Sequence, residues 1–295
     1  MGVLQSCTPR KDLLSGSINL GMFTASLSEV HRHYTDGSLE NPVYTDAEVF
    51  FSQGTHITPN MALVFQDVFS RLSGDTTAPL LKRLETGFGG GKTHTLIACM
   101  HLAKKGREIA PVVSGVLKDS LLPEPGEVDV VAVAGEKAPI SVTMGSEVLP
   151  FPIWAEIARQ VGGKELEEKV SFYLHRLDSP DEEYFRQVFG HRKVLLLIDE
   201  LAHYAARWSV AYPKARDMLS SFFMSLFDYA RQNPCIAVVV TLASSRDAFS
   251  AQTAELETIL SDLSGQAIDS ERAIAIQEGA VSGLATVLAR DETVV

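Results

Sequence analysis

Cysteine is scarce. The 295-residue chain has three, Cys7, Cys99 and Cys235, far apart and without ligand-type residues beside them. An odd, scattered set supports neither a disulfide framework nor a zinc site, so reduced thiols in a cytoplasmic protein are expected. No apolar run approaches the roughly 18 residues of a membrane-crossing helix, and no charged-then-apolar leader opens the chain. Positive charge is also short, with 26 Lys and Arg against 37 Asp and Glu and a formal net charge of −11. Such a chain has no overall attraction for a polyanion, and direct DNA binding is unsupported. Internal repeats, low-complexity tracts and the guanine-reading N-K-x-D and T-K-x-D motifs are absent. The opening "MGVLQS" beside Cys7 fits a short acylation pattern, but an unmodified start is the expectation.

What is present is the composition of a globular protein with a large core, 45% hydrophobic and 21% charged. Leu20, Phe23, Leu27 and Val30 recur at helical spacing, and residues 61–72 repeat the pattern. Residues 1–77 therefore read as a helical N-terminal extension packed on a core formed by residues 78–295. His31 and His33 make an incomplete metal site, and a solvated helix end is the simpler reading. From residue 78 strands and helices alternate. The strand candidates are residues 78–86, 128–135, 193–200 and 235–242, and the helices between them are 92–105, 153–176 and 215–231. The last three strands are continuous apolar runs, as parallel strands covered on both faces require. Crossover units on a parallel sheet follow. The stretch 121–127, "LLPEPGE", reads as an exposed turn.

Between the first strand and its helix lies "TGFGGGKTHTL". A loop there presents unpaired backbone N–H groups and the positive end of the helix dipole. Gly87, Gly89, Gly90 and Gly91 let the backbone wrap a phosphate group closely, with His94 following in the same cofactor-binding stretch. Lys92 is expected to reach the terminal phosphates and the Thr93 hydroxyl to hold magnesium. The loop departs from G-x-x-x-x-G-K-[ST] in having Thr86 at the first glycine position. Taken alone it could be a structural turn.

A second motif weighs against that. "KVLLLIDELAHY" runs five apolar residues into Asp199 and Glu200, the form of a Walker B strand. Asp199 then reaches the carboxyl end of its strand, where ligands of open α/β sheets collect, and can hold magnesium. Glu200 is next in line to take a proton from an attacking water. The competing reading is that "DE" only caps the next helix. A third strand ends in Thr241, with Ser244, Ser245 and Arg246 beyond it. Thr241 is either a catalytic residue that senses the terminal phosphate or a partner for backbone groups at a strand end. Arg246 and Arg290 are arginine-finger candidates, though surface salt bridges suit either.

These stretches, with "SCTPRKDLLSG", "YTDAEVFFSQGTHIT" and "FPIWAEIARQVGG", resemble the prokaryotic ATPase family catalogued as domain of unknown function 499. The resemblance spans nearly the whole chain. It implies an α/β P-loop NTPase core (AAA-like, ASCE type), in which the 235–241 strand lies between the loop strand and the Asp199 strand. It implies ATP and magnesium as cofactors, with Lys92, Thr93, Asp199 and Glu200 in the ATP site. Partners would be proteins, such as a DNA methyltransferase or helicase of a phage-defence or modification gene cluster, or further copies of the chain. AAA-type proteins continue into a helical lid, whereas this chain stops at "LARDETVV", with Val294 and Val295 at the start of an expected fifth strand; a truncated member is therefore expected. The leading expectation is a cytoplasmic ATPase that drives or regulates a partner complex. The alternative is a nucleotide-dependent switch or scaffold with little turnover.

Overall fold

The computed structural model describes residues 8–9, 15, 25–38, 41–85, 91–174, 177–242, 253–254, 256–260 and 288–289. The helical part of the amino-terminal segment is α1 (Leu27–Asp36) and α2 (Pro59–Leu72), with short helical turns and a π-helical turn, Phe50–Gly54, between them. The start of α2 is set locally: the Thr58 side chain accepts from the Met61 amide and Pro59 takes the first helical position, where its missing N–H leaves no bond unmade. Next come β1 (Leu81–Glu85), α3 (Lys92–Lys105), β2 (Val128–Ala134), the hairpin β3 (Ser141–Met144) and β4 (Glu147–Pro150), and α4 (Ile153–Lys169). The core continues with α5 (Glu182–Val188), β5 (Lys193–Asp199), α6 (Leu201–Ala211), α7 (Ala215–Gln232) and β6 (Ile236–Leu242), and Leu256 and Leu260 beyond them are buried in it as well.

Four strands form one parallel sheet in the order β1-β6-β5-β2. The strand ending in Thr241 thus lies between the loop strand and the Asp199 strand, as the resemblance implied. Successive residues of a strand face opposite sides, and this chain fills both. Val194, Leu196 and Ile198 of β5 join Val238 and Val240 in a core with α4, α6 and α7. Leu195 and Leu197, with Val239, pack instead with α1, α2 and α3. Helix α3 is buried from Thr95 to Ala103, so its apolar positions run all around rather than along one stripe. The amino-terminal helices and α3 therefore share one apolar layer on one face of the sheet.

Several boundaries differ from the sequence reading, each for a local reason. β1 starts at Leu81 rather than residue 78, because Ala78 closes a turn on Asp75 and Pro79 has no N–H to give a ladder. The helix expected over 153–176 is broken at Gly163, whose φ of 58° and ψ of −152° are not helical, and a separate turn spans Ser171–Leu174. The hairpin has no counterpart among the expected strands. His31 and His33 do not form a fully solvated helix end: both are half-buried, and His33 Nδ1 lies 2.7 Å from the Ser38 carbonyl. The outer edge of β2 is closed by a side chain: the Ala132 amide donates to Gln160 Oε1 at 2.7 Å, and Gln160 Nε2 donates to the Ala132 carbonyl at 2.9 Å.

Candidate functional site

Parallel strands put all their carboxyl ends on one edge, and there the separate motifs meet. Gly91, in the left-handed region at φ 76°, starts α3, so Lys92 and Thr93 occupy its first turn. The Thr93 hydroxyl donates to Asp199 Oδ2 at 2.7 Å. Asp199, the last residue of β5, is 6% exposed. Its other oxygen, Oδ1, accepts from the Thr241 hydroxyl at 2.6 Å, and the Thr241 oxygen accepts from the Glu200 amide at 2.8 Å. Thr241 is wholly buried. It holds the carboxylate and the neighbouring backbone in place, which accounts for a polar residue at the end of an apolar strand.

Glu200 leaves the strand with φ 51° and ψ 48°. For a residue with a Cβ, this left-handed conformation costs about 1–3 kcal/mol unless its surroundings enforce it. They do. The Gly135 amide donates to the Asp199 carbonyl at 2.8 Å, and Gly135 packs so closely that a Cβ on it would lie 2.2 Å from the Glu200 carbonyl oxygen. Arg207 of α6 fixes the same segment, its Nη1 donating to the carbonyls of Gly135, Glu136 and Ala138, each at 2.9 Å. The Glu200 carbonyl in turn accepts the His203 and Tyr204 amides, which begins α6.

The Glu200 side chain is half exposed, with Oε2 3.5 Å from His203 Nδ1. Partial burial, then the nearby charges of Asp199 and Glu136, raise its pKa above the ordinary glutamate value, while His203 opposes the rise. The direction is that of a carboxylate made more basic.

The His94 side chain packs against the amino-terminal segment. Its Nε2 lies 2.8 Å from Thr55 Oγ1 and its ring stacks on Phe50 at 4.5 Å. Desolvation lowers its pKa to about 4, so the ring is neutral. These contacts tie the first turn of α3 to the π-helical turn of the amino-terminal segment. Thr86, Gly87, Gly89, Gly90, Ser244, Ser245, Arg246 and Arg290 lie outside the described residues, as do Leu20, Phe23, Val294, Val295 and the first seven residues.

The sequence reading brought together Lys92, Thr93, Asp199, Glu200 and Thr241, and missed Gly135, Arg207 and His203. Gly135 carried a signal, a glycine directly after an apolar strand. His203 stood three residues beyond Glu200, one helical turn away.

Thr93 and Asp199 supply hard oxygen donors beside the positive end of a helix, and the described residues contain no cluster of three or more His, Cys, Asp or Glu that could hold a metal. Two hard oxygen donors are too few to cage a divalent cation, which would need further oxygen ligands from elsewhere. Residues 29–259 match the DUF499 N-terminal domain. The chain belongs to the DUF499 family. The match covers the amino-terminal helices, the four-stranded sheet and all five residues of the constellation. No curated protein matches this DUF499 chain.

Proposed function

We propose that this DUF499 chain is a magnesium-dependent P-loop ATPase of AAA-like type that drives or regulates a partner complex. The observation that carries the reading is the single network Thr93–Asp199–Thr241–Glu200, which joins the start of α3 to the ends of β5 and β6. Lys92 and the first-turn amides of α3 bind the terminal phosphates, adding a cation to the helix dipole. Thr93 and Asp199 hold magnesium, which when bound neutralises phosphate charge. Glu200 orients the attacking water and receives its proton on a carboxylate oxygen. Thr241 keeps Asp199 and the Glu200 backbone in register. The gene-cluster association of the resembled ATPases suggests a DNA methyltransferase or helicase partner in phage defence or modification.

A switch with little turnover is the second reading.

Two variants test the proposal. Lys92→Ala removes charge-assisted hydrogen bonds to phosphate, so ATP affinity should fall by about 1.5–3 kcal/mol for each such bond removed. Glu200→Gln keeps the shape and loses the base, so turnover should slow roughly 10²- to 10⁴-fold while ATP still binds. Turnover at the parent rate in Glu200→Gln would sink the catalytic role. A parent that binds ATP without turnover, even with its partners, favours the switch.

A further inference from the structure

A cavity of about 530 Å³ opens between α1, the end of β2, the segment after it and α4. Its volume is that of a small-molecule site, roughly 300–1,000 Å³, and it lies beyond the carboxyl end of a parallel strand, where such sites form. Small aliphatic residues such as Ala132, Val133 and Pro139 line it together with the half-buried ring of His31, and among the described residues no Phe, Tyr or Trp does. Three elements each bring a cation: Arg32 from α1, Lys137 from the segment after β2, and Arg159 from α4.

Of the lining carboxylates, Glu156 is ion-paired with Arg159, which reduces the charge Arg159 offers, and its buried Oε2 makes no hydrogen bond among the described residues. Glu156 Oε1 accepts from Gln160 and from Arg159, each at 2.6 Å, and its Oε2 lies 2.6 Å from Arg159. Asp36 accepts the Ser38 amide at 2.9 Å. Lys137 is different. It is exposed, and its ammonium lies at long range from its described neighbours, 3.5 Å from Ser26 Oγ and 3.5 Å from Glu136. A group of opposite charge in the cavity would improve on these weak interactions.

Lys137 also belongs to the segment that supports Glu200. Gly135, two residues earlier, donates to the Asp199 carbonyl and packs against the Glu200 carbonyl, and Arg207 holds residues 135–138 as one piece. The cavity and Glu200 are thus on either side of one short, clamped segment.

We propose that this cavity is an effector site for a small, compact organic anion held chiefly by Lys137, with Arg32 and the Glu156-paired Arg159 beside it, and that its occupancy changes events at Glu200. The second half rests on the ATP reading above; the first half does not. By linkage, an anion that alters ATP affinity has its own affinity altered by the same factor.

Citrate and ribose 5-phosphate serve as carboxylate and phosphate probes. Calorimetric titration uses the full chain carrying Lys92→Ala, so that the glycine-loop site contributes little. One or both probes should bind saturably, Lys137→Glu should weaken that binding at least tenfold, and Lys137→Arg should retain it, with circular dichroism verifying that each variant is folded. No saturable binding by either probe, or equal binding to Lys137→Glu, overturns the site. In the chain with Lys92 intact, the bound probe should change ATP turnover or ATP affinity at least twofold, and Lys137→Glu should abolish the effect. Neither quantity changing at saturation overturns the regulatory half. Failure of the parent to bind ATP at all overturns the ATP reading and the coupling with it, while the binding result still decides the site.

Discussion

The Thr241 hydroxyl lies 2.6 Å from Asp199 Oδ1, across the junction of two neighbouring parallel strands. Because that hydroxyl also receives the Glu200 amide at 2.8 Å, one buried oxygen sets both the carboxylate and the backbone beside it. Thr241→Val keeps the shape and removes both bonds. Each buried polar group left unmatched costs about 1–3 kcal/mol, so the urea midpoint should drop clearly, whereas Thr241→Ser should stay much closer to the parent. A Val variant as stable as the parent would reduce Thr241 to a packing residue.

Gly135→Ala puts a methyl 2.2 Å from the Glu200 carbonyl oxygen, a backbone atom that α6 holds in place. The segment must shift, at a cost of about 1–3 kcal/mol. Scanning calorimetry should show a lower melting temperature, and turnover, where the parent has it, should fall more than ATP affinity does. An unchanged melting temperature would mean that the segment gives way freely and does not enforce the Glu200 conformation.

Arg71 of α2 is 3% exposed and joins three elements, its Nη2 donating to the Ala230 carbonyl at 2.5 Å and its Nε to the Ile236 carbonyl at 3.3 Å. Arg71→Met fills similar space but leaves both carbonyls without these donors. A loss of about 1–3 kcal/mol per carbonyl is expected in denaturant unfolding. A loss near zero would show that water replaces the guanidinium.

His101 gives a pH test. It is wholly buried on α3, with Nδ1 2.6 Å from the Tyr34 hydroxyl and Nε2 2.9 Å from the Tyr44 carbonyl. Because a carbonyl only accepts, Nε2 carries the proton and Tyr34 donates to Nδ1. Burial lowers the pKa from 6.5 to about 4; the Tyr44 carbonyl and Asp46 oppose the shift, while His33 and His94 add to it. The unfolded chain therefore binds this proton first as pH falls. The stabilising contribution is complete above pH 6.5 and is lost between 6.5 and about 4, with a slope of up to about 1.4 kcal/mol per pH unit. His101→Gln should flatten stability against pH in that window relative to the parent. Parallel curves for the two would refute a buried neutral ring.

Much of this was legible because burial on both faces leaves a plain signature. The runs of β2, β5 and β6 are apolar without alternation, and α3 begins and ends at the expected Lys92 and Lys105, between Gly91 and Gly106. Gly106 carried a further reason to be glycine, since a Cβ there would lie 1.9 Å from the Pro123 carbonyl oxygen. The hairpin was hidden because its four-residue strands are mostly exposed, so burial imposed no pattern on them. The break in α4 was marked by the Gly162–Gly163 pair, which the long helical reading passed over. In the site, residue type and strand position sufficed for Thr93, Asp199 and Glu200. Arg207 was illegible because its role is to hold three backbone carbonyls of a segment some 70 residues earlier in the chain, an interaction that leaves no local motif.

The Gln160 carboxamide on the rim of β2 acts as a counterfeit strand. Sheets self-associate by matching free backbone donors and acceptors edge to edge, and at Ala132 both are already engaged by one side chain. Pairing by another strand is therefore opposed at that point by a side chain of α4, a helix that packs beside β2. Gln160→Leu would uncork it, turning a quiet border of the molecule into a sticky one while leaving the opposite border, at β1, as it was.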